Sequence, residues 1–111
     1  MTVLVTGGLG FIGAKVVLQL LKRDIPVIVA DLDIEKNKSK LEKKIKKIGK
    51  DNKLVNFHKL DITDFQNIES IFKNNKLDCV INLAYGIGTI CEENPLLASK
   101  INIVGTTSIF E

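Results

Sequence analysis

The segment Thr6-Gly7-Gly8-Leu9-Gly10-Phe11-Ile12-Gly13 concentrates four glycines in eight residues. Its spacing satisfies G-x-G-x-x-G through Gly8, Gly10 and Gly13, and also T-G-x-x-G-x-x-G through Gly7, Gly10 and Gly13. Glycines at such intervals serve separate ends: a sharp turn out of a strand, a bare backbone that lets an anion approach, and close packing of the helix that follows. Unpaired amides at the start of that helix would meet phosphate oxygens. The pattern also calls for an acid about 20 residues on, and Asp31 supplies it. Its carboxylate is able to accept from both hydroxyls of a ribose. Glycines that only form a tight turn are the competing reading.

The elements around this segment decide between the two. Met1 to Val5 is a short apolar, β-branched run ending in the glycines, as a buried strand should be. A helix is expected from about Phe11 to Lys22, with Ile12, Val16, Val17, Leu20 and Leu21 on one stripe. Val27 to Ala30 is a second buried strand, and Asp31 stands just beyond its carboxyl end. The glycine run therefore lies inside a strand–helix–strand unit, the context in which it holds the diphosphate of a dinucleotide. Asp31, with Asp33 beside it, disfavours a further 2′-phosphate, so NAD is expected over NADP, although Lys36 and Lys38 soften that repulsion.

Ile34, Leu41, Ile45 and Ile48 share one helical phase among lysines, and Gly49 offers a stop. A third strand is expected from Leu54 to Leu60. Thr63 and Gln66 have the spacing of a capping box, which predicts a helix from Asp64 to about Asn74 with Phe65, Ile68, Ile71 and Phe72 inward. Val80 to Leu83 reads as a fourth strand and Tyr85 to Gly88 as a flexible loop. Asn94 before Pro95 is a good helix start, and that last helix runs to the end, weakened by Gly105, Thr106 and Thr107. Strands alternating with helices give a doubly wound parallel α/β sheet of Rossmann type, four strands in the order 3-2-1-4.

At 111 residues and 12.3 kDa, with 45% apolar and 26% charged residues, the chain suits one domain over residues 1–111. The net charge of +3 is too mild to call for a polyanion partner. It is lopsided, however: Lys36 to Lys50 holds eight lysines against Glu42, a local +7, which leaves 3 − 7 = −4 elsewhere. That helix has an apolar stripe and the chain has one Tyr and no Trp, so nucleic acid is not the expected partner. Cys79 and Cys91 lack the spacing of a zinc site or redox pair, and no metal site is expected. Lys15, Gln19 and the glycines interrupt the apolar run from Val3 to Leu21, so no membrane span is read there. With no basic leader, the expected compartment is the cytoplasm.

The chain resembles the N-terminal part of the extended short-chain dehydrogenases/reductases, the NAD-dependent epimerase/dehydratase family, from the T-G-x-x-G-x-x-G turn to an N-x-x-G-T stretch at Asn102 to Thr106. By that resemblance Gly7, Gly10, Phe11, Ile12 and Gly13 surround the pyrophosphate and Asp31 takes the adenosine ribose. Asp61 and Ile62 match an aspartate–apolar pair around adenine, where the bland alternative is that Asp61 only shapes a turn. Leu83, Ala84 and Tyr85 pass beneath the nicotinamide-side ribose, with Tyr85 at a position where the family usually has a small residue, and Asn102 braces the last helix near the cofactor. The activity so implied is hydride exchange with a nucleotide sugar. A threonine-dehydrogenase-like oxidoreductase and a non-catalytic dinucleotide-binding module are the alternatives.

The family's proton-transferring Tyr-x-x-x-Lys pair is absent: the only tyrosine, Tyr85, has Thr89 four residues later. No catalytic residue is therefore assigned, and the chain is expected to be inactive alone, the incomplete N-terminal part of a longer fold. A fourth strand without its outer neighbour leaves an edge open to self-association. His58 has no second imidazole near it in sequence, and Glu92 and Glu93 fit a helix start better than a metal or acid–base pair.

Overall fold

The computed structural model describes residues 1–86 and 88–111. Four parallel strands, β1 (Val3–Thr6), β2 (Val27–Asp31), β3 (Val55–Lys59) and β4 (Cys79–Asn82), stand in the order β3-β2-β1-β4. Thr6 pairs with Ala30 on one side and Asn82 on the other, which aligns three strand tips at one end of the sheet. This is the predicted order, and it follows from crossovers made by helices between parallel neighbours.

Side chains alternate across the two inner strands, so each face buries its own set. Val3, Val5, Val27 and Val29 meet Ala14, Val17 and Leu21 of α1 (Phe11–Lys22) and Leu41 and Ile45 of α2 (Ile34–Lys47). Leu4, Ile28 and Ala30 meet Ile68 and Ile71 of α3 (Phe65–Asn74) on the other face, together with Leu60, Ile62 and Ile109. Both inner strands are covered on both faces, which is why they read as continuous apolar runs.

Several expectations need correction. Ile12 is exposed, because Ala14 packs against the sheet and Gly13 against the glycine loop at that turn of α1. The third strand starts at Val55, after a short 3₁₀ turn over Asn52–Leu54 capped by Asp51, and the fourth at Cys79, ending at Asn82. The cap of α3 is Asp64, whose Oδ1 accepts from Gln66 and Asn67 amides at 3.1 and 3.3 Å; Thr63 is held by Asp61 instead. Phe65 and Phe72 are exposed rather than inward, since they lie toward β4, which has a neighbour on one side only.

The last predicted helix runs unbroken from Pro95 to Phe110, with a π-helical turn in its middle. The short helix α4 (Thr89–Glu93) precedes α5 (Pro95–Ser99), which passes through a π-helical turn over Lys100–Gly105 into α6 (Thr106–Phe110). Asn94 caps α5 as predicted, its Oδ1 accepting from Leu97 N–H at 3.1 Å. The loop expected over Tyr85 to Gly88 includes Ile87, which lies outside the described residues.

Candidate functional site at the strand tips

A cleft of about 380 Å³ opens where β1, β2 and β4 end. Its floor is Thr6, Gly7 and Gly10, one wall is Ala30, Asp31 and Leu32, the opposite wall is Leu83, Ala84 and Tyr85, and Asp61, Ile62 and Thr63 close the side beyond β2. Such crevices beyond the carboxyl ends of parallel strands are where open α/β sheets bind ligands.

The glycine loop reaches this position through four backbone constraints. Gly7 N–H donates to Ala30 O at 2.8 Å and Gly10 N–H to Gly7 O at 3.1 Å. Gly7 takes φ +66°, and a Cβ there would stand 2.7 Å from Leu83 O, so only glycine permits both the turn and the close passage of the segment after β4. At Gly13 a Cβ would meet Gly7 O at 2.0 Å, so the first turn of α1 presses directly on the loop. Among the described residues no backbone or side-chain group accepts from the amides of Phe11, Ile12 or Gly13. These are the free donors of a helix start, with the positive end of the helix dipole behind them.

Asp31 turns its carboxylate toward the loop. Oδ2 accepts from Leu9 N–H at 3.1 Å and Oδ1 from Leu32 N–H at 2.8 Å. An ionised carboxylate offers about four lone-pair sites, so two stay available toward the cleft. Asp33 caps α2, its Oδ1 accepting from Lys36 N–H at 3.3 Å, and Lys38 lies over the Phe57 ring, 5.1 Å from its centroid.

Asp61 does shape a turn: Oδ1 accepts from Thr63 N–H at 2.9 Å and from Thr63 Oγ1 at 2.6 Å. The Thr63 hydroxyl, then its amide and the charge of Lys59, hold the Asp61 carboxyl below its ordinary range against an opposing effect of burial. It stays an ionised acceptor on the cleft wall.

Thr6, fully buried at the end of β1, ties the strand tips together. Its hydroxyl donates to Asn82 Oδ1 and accepts from Leu83 N–H at 3.1 Å, while Asn82 Nδ2 donates to Thr106 Oγ1 at 3.4 Å. Asn102 forms a reciprocal pair with the backbone of Gly86, accepting from its N–H at 2.7 Å and donating to its carbonyl at 2.9 Å.

Of the residues singled out in the sequence, Gly7, Gly10, Asp31, Asp61, Ile62, Leu83, Ala84 and Tyr85 line one cleft. Gly13 lies beneath the loop and Asn102 behind Gly86, so both support it without lining it. The side chains of Phe11 and Ile12 do not line it: the Phe11 ring is 81% exposed and faces a neighbouring groove, so these two residues can contribute only backbone amides. The roles of Thr6, Thr63 and the Leu9 amide were not foreseen. Thr63 had a signal, since a threonine two residues after an aspartate is the spacing of an Asx turn. The described residues hold no group of three His, Cys, Asp or Glu able to bind a metal, and no helix long and apolar enough to cross a membrane.

The sheet order and the cleft at its strand tips define the Rossmann class of nucleotide-binding α/β proteins. Within that class the chain belongs to the GDP-mannose 4,6 dehydratase family, whose pattern it matches over residues 4–111. It is 38% identical over 112 residues to UDP-glucose 4-epimerase 2 of Arabidopsis thaliana, an alignment covering 99% of this chain and 32% of that protein. Its fold is similar to the UDP-glucose 4-epimerase of Bifidobacterium longum, solved in complex with NAD+ and UDP: TM-score 0.81, 30% identity, 99% of this chain and 32% of that one. It is also similar to L-threonine dehydrogenase of Clostridium difficile, with TM-score 0.74, 25% identity, and 96% and 31% coverage. The chain thus spans about a third of the length of the relatives it matches.

Proposed function

We propose that these residues form the NAD-binding part of a nucleotide-sugar epimerase or dehydratase. The observation that carries this reading is the Asp31 carboxylate facing the glycine loop with acceptor capacity left over. The residues present suit the cofactor: a glycine floor that a Cβ would fill, free amides at the start of α1 for the diphosphate, Asp31 for the adenosine ribose, and Asp61 with Ile62 for adenine. Leu83, Ala84 and Tyr85 would bear on the nicotinamide-side ribose, while Gly13 and Asn102 hold loop and wall in place. When bound, the nicotinamide supplies an acceptor for hydride from a sugar carbon.

The epimerases support this assignment better than the threonine dehydrogenases, since their TM-scores are higher and the curated relatives at 38% and 39% identity are epimerases. A nucleotide sugar is accordingly the proposed substrate of the whole enzyme. The chain's 111 residues include no Tyr-x-x-x-Lys pair, so they bind and orient without moving the substrate proton, and we propose that they are inactive alone. The exposed, unpaired Cys79 and Cys91 fit a reducing compartment such as the cytoplasm. We further propose that β4, paired only with β1 and flanked by exposed Phe65, Phe72 and Phe110, mediates self-association of the chain.

Titration calorimetry with NAD and NADP tests the main reading. NAD binding one to one, and more tightly than NADP, is expected. Equal affinity for the two would remove the role given to Asp31, and no binding of either would overturn the assignment.

A further inference from the structure

Behind the glycine loop, on the side away from the cleft, a second depression of about 390 Å³ lies between α1 and α2. Lys15 of α1 and Lys40 and Lys44 of α2 line it, with the Asn37 amide beside them and the Phe11 ring at its edge. The α2 residues recur at spacings of three and four, which puts Asn37, Lys40 and Lys44 on one stripe. Lys15 Nζ stands 4.2 Å from the centroid of the Phe11 ring, an aromatic left 81% exposed.

The charge here is uncompensated. Among the described residues the ion pairs are Lys50 with Asp24 and Lys73 with Glu69, so none of the three groove lysines has a carboxylate within 4.0 Å. Like charges drawn to one concavity raise the local potential and concentrate anions. The apolar stripe of α2 accounts for Leu41 and Ile45, but it does not account for lysines gathered on the flank that faces α1. A concavity of this size suits a compact polyanion better than an extended one.

We propose that this groove is a second ligand site, separate from the dinucleotide cleft, for a compact polyphosphate, either free or carried by a nucleoside. Lys15, Lys40 and Lys44 hold the phosphates. Asn37 donates to a phosphate oxygen, and the Phe11 ring offers a face to a base where one is present. Gly10 lines both this groove and the strand-tip cleft, so occupancy of one bears on the loop that forms the other. The site uses none of the side chains assigned to NAD.

The test is calorimetry on the full chain with inorganic tripolyphosphate and with ATP, each run with and without saturating NAD. Binding of either probe should persist in the presence of NAD, weaken with added salt, and fall at least about tenfold in Lys40→Gln/Lys44→Gln, the loss expected for charged contacts. Phe11→Ala distinguishes the sources: weaker ATP binding with tripolyphosphate unchanged assigns a nucleotide, and no effect on either assigns free polyphosphate. Absence of heat with both probes, or binding that the lysine variant leaves unchanged, overturns the proposal. Tighter binding of a single-stranded RNA oligomer that displaces both probes also overturns it, in favour of a nucleic-acid surface. Failure of NAD to bind is read separately, and the arms without NAD then still report on the groove.

Discussion

The backbone amide of Leu9 donates to Oδ2 of Asp31 at 3.1 Å, so the residue proposed to select the cofactor also holds the loop proposed to cradle its phosphates. Sequence places these groups 22 residues apart. The pairing of β1 with β2 makes them neighbours, since Thr6 stands opposite Ala30.

Asp31→Asn separates the two roles. The asparagine oxygen still accepts from one partner, so the loop stays in place and the thermal midpoint falls by no more than a few degrees, on the order of 1 kcal/mol. Loss of the charged acceptor should weaken NAD by about 10- to 100-fold, equivalent to about 1.5–3 kcal/mol. NADP should weaken far less, because the repulsion of its 2′-phosphate is also removed. Calorimetry on parent and variant reads the ratio. An unchanged preference for NAD would show that Asp31 does not set it.

Gly13→Ala is informative through its sign. In an unobstructed helix interior alanine is favoured over glycine by about 1 kcal/mol. Here the new methyl would sit 2.0 Å from the Gly7 carbonyl, a backbone atom that cannot turn aside. A net loss of about 1–3 kcal/mol is expected from overpacking, with loss of NAD binding as α1 lifts from the loop. Denaturant melts measure the first and calorimetry the second. A stabilised Gly13→Ala would mean that the loop moves freely.

The contact just described could not be read from the sequence, whereas the motif containing Gly13 could. The strands and the glycine loop were legible because their patterns are local: apolar runs covered on both faces, and glycines at fixed intervals. What escaped depended on competition between neighbours. Thr63 and Asp64 both have capping chemistry, and Asp61 decides between them by engaging the Thr63 hydroxyl. Phe65 and Phe72 fall at apolar positions of α3 but outside the buried set, because they lie on the flank toward β4, which is paired with β1 alone. The π-helical turn within the last helix ends at Gly105, which packs closely against Ile62, a contact between segments some forty residues apart that no local pattern carries.

Thr63→Val should reveal the depressed carboxyl of Asp61 through pH. Because the folded state lowers that pKa, the unfolded chain binds more protons in the affected range, and stability rises with pH there. The contribution is fully present above the ordinary aspartate value of about 3.9 and is lost as pH falls through the lower folded value. Parent and variant should therefore differ in thermal midpoint at neutral pH and converge as pH falls through the lowered folded value. Midpoints followed from pH 7 downward check this. A gap that stays constant to the lowest pH would assign the loss to packing of the Thr63 side chain alone.

Asn102→Asp keeps an acceptor for the Gly86 amide but replaces the donor that faces the Gly86 carbonyl with a second oxygen. Acceptor then faces acceptor, and the wall made by Leu83, Ala84 and Tyr85 loses its anchor to the last helix. A destabilisation of about 1 kcal/mol is expected, since the Gly86 carbonyl keeps only the weaker thiol donor of Cys91 at 3.3 Å, with faster hydrogen exchange at the Gly86 amide. Exchange that is unchanged at Gly86 would show that the wall is held by Thr6 and its contact with the Leu83 amide.

The edge of β4 gives the remaining prediction. Parallel pairing with β1 uses one side of the strand, and the other side presents free backbone groups beside a groove of about 600 Å³ lined by Phe65, Phe72 and Phe110. Backbone groups of this kind pair readily with a second chain, and a lysine on such an edge is a common means of preventing it. Sedimentation of the parent under reducing conditions should show mass increasing with concentration. Cys79→Lys places a charge on the exposed first residue of β4, and should return the sample toward monomer without lowering NAD affinity, since Cys79 lies at the end of the strand remote from the cleft. Reducing conditions matter because the Cys79 thiol is itself exposed and would otherwise cross-link copies. A parent that remains monomeric at every concentration would show that the free edge is protected by the side chains around it, and the proposed self-association would then be wrong.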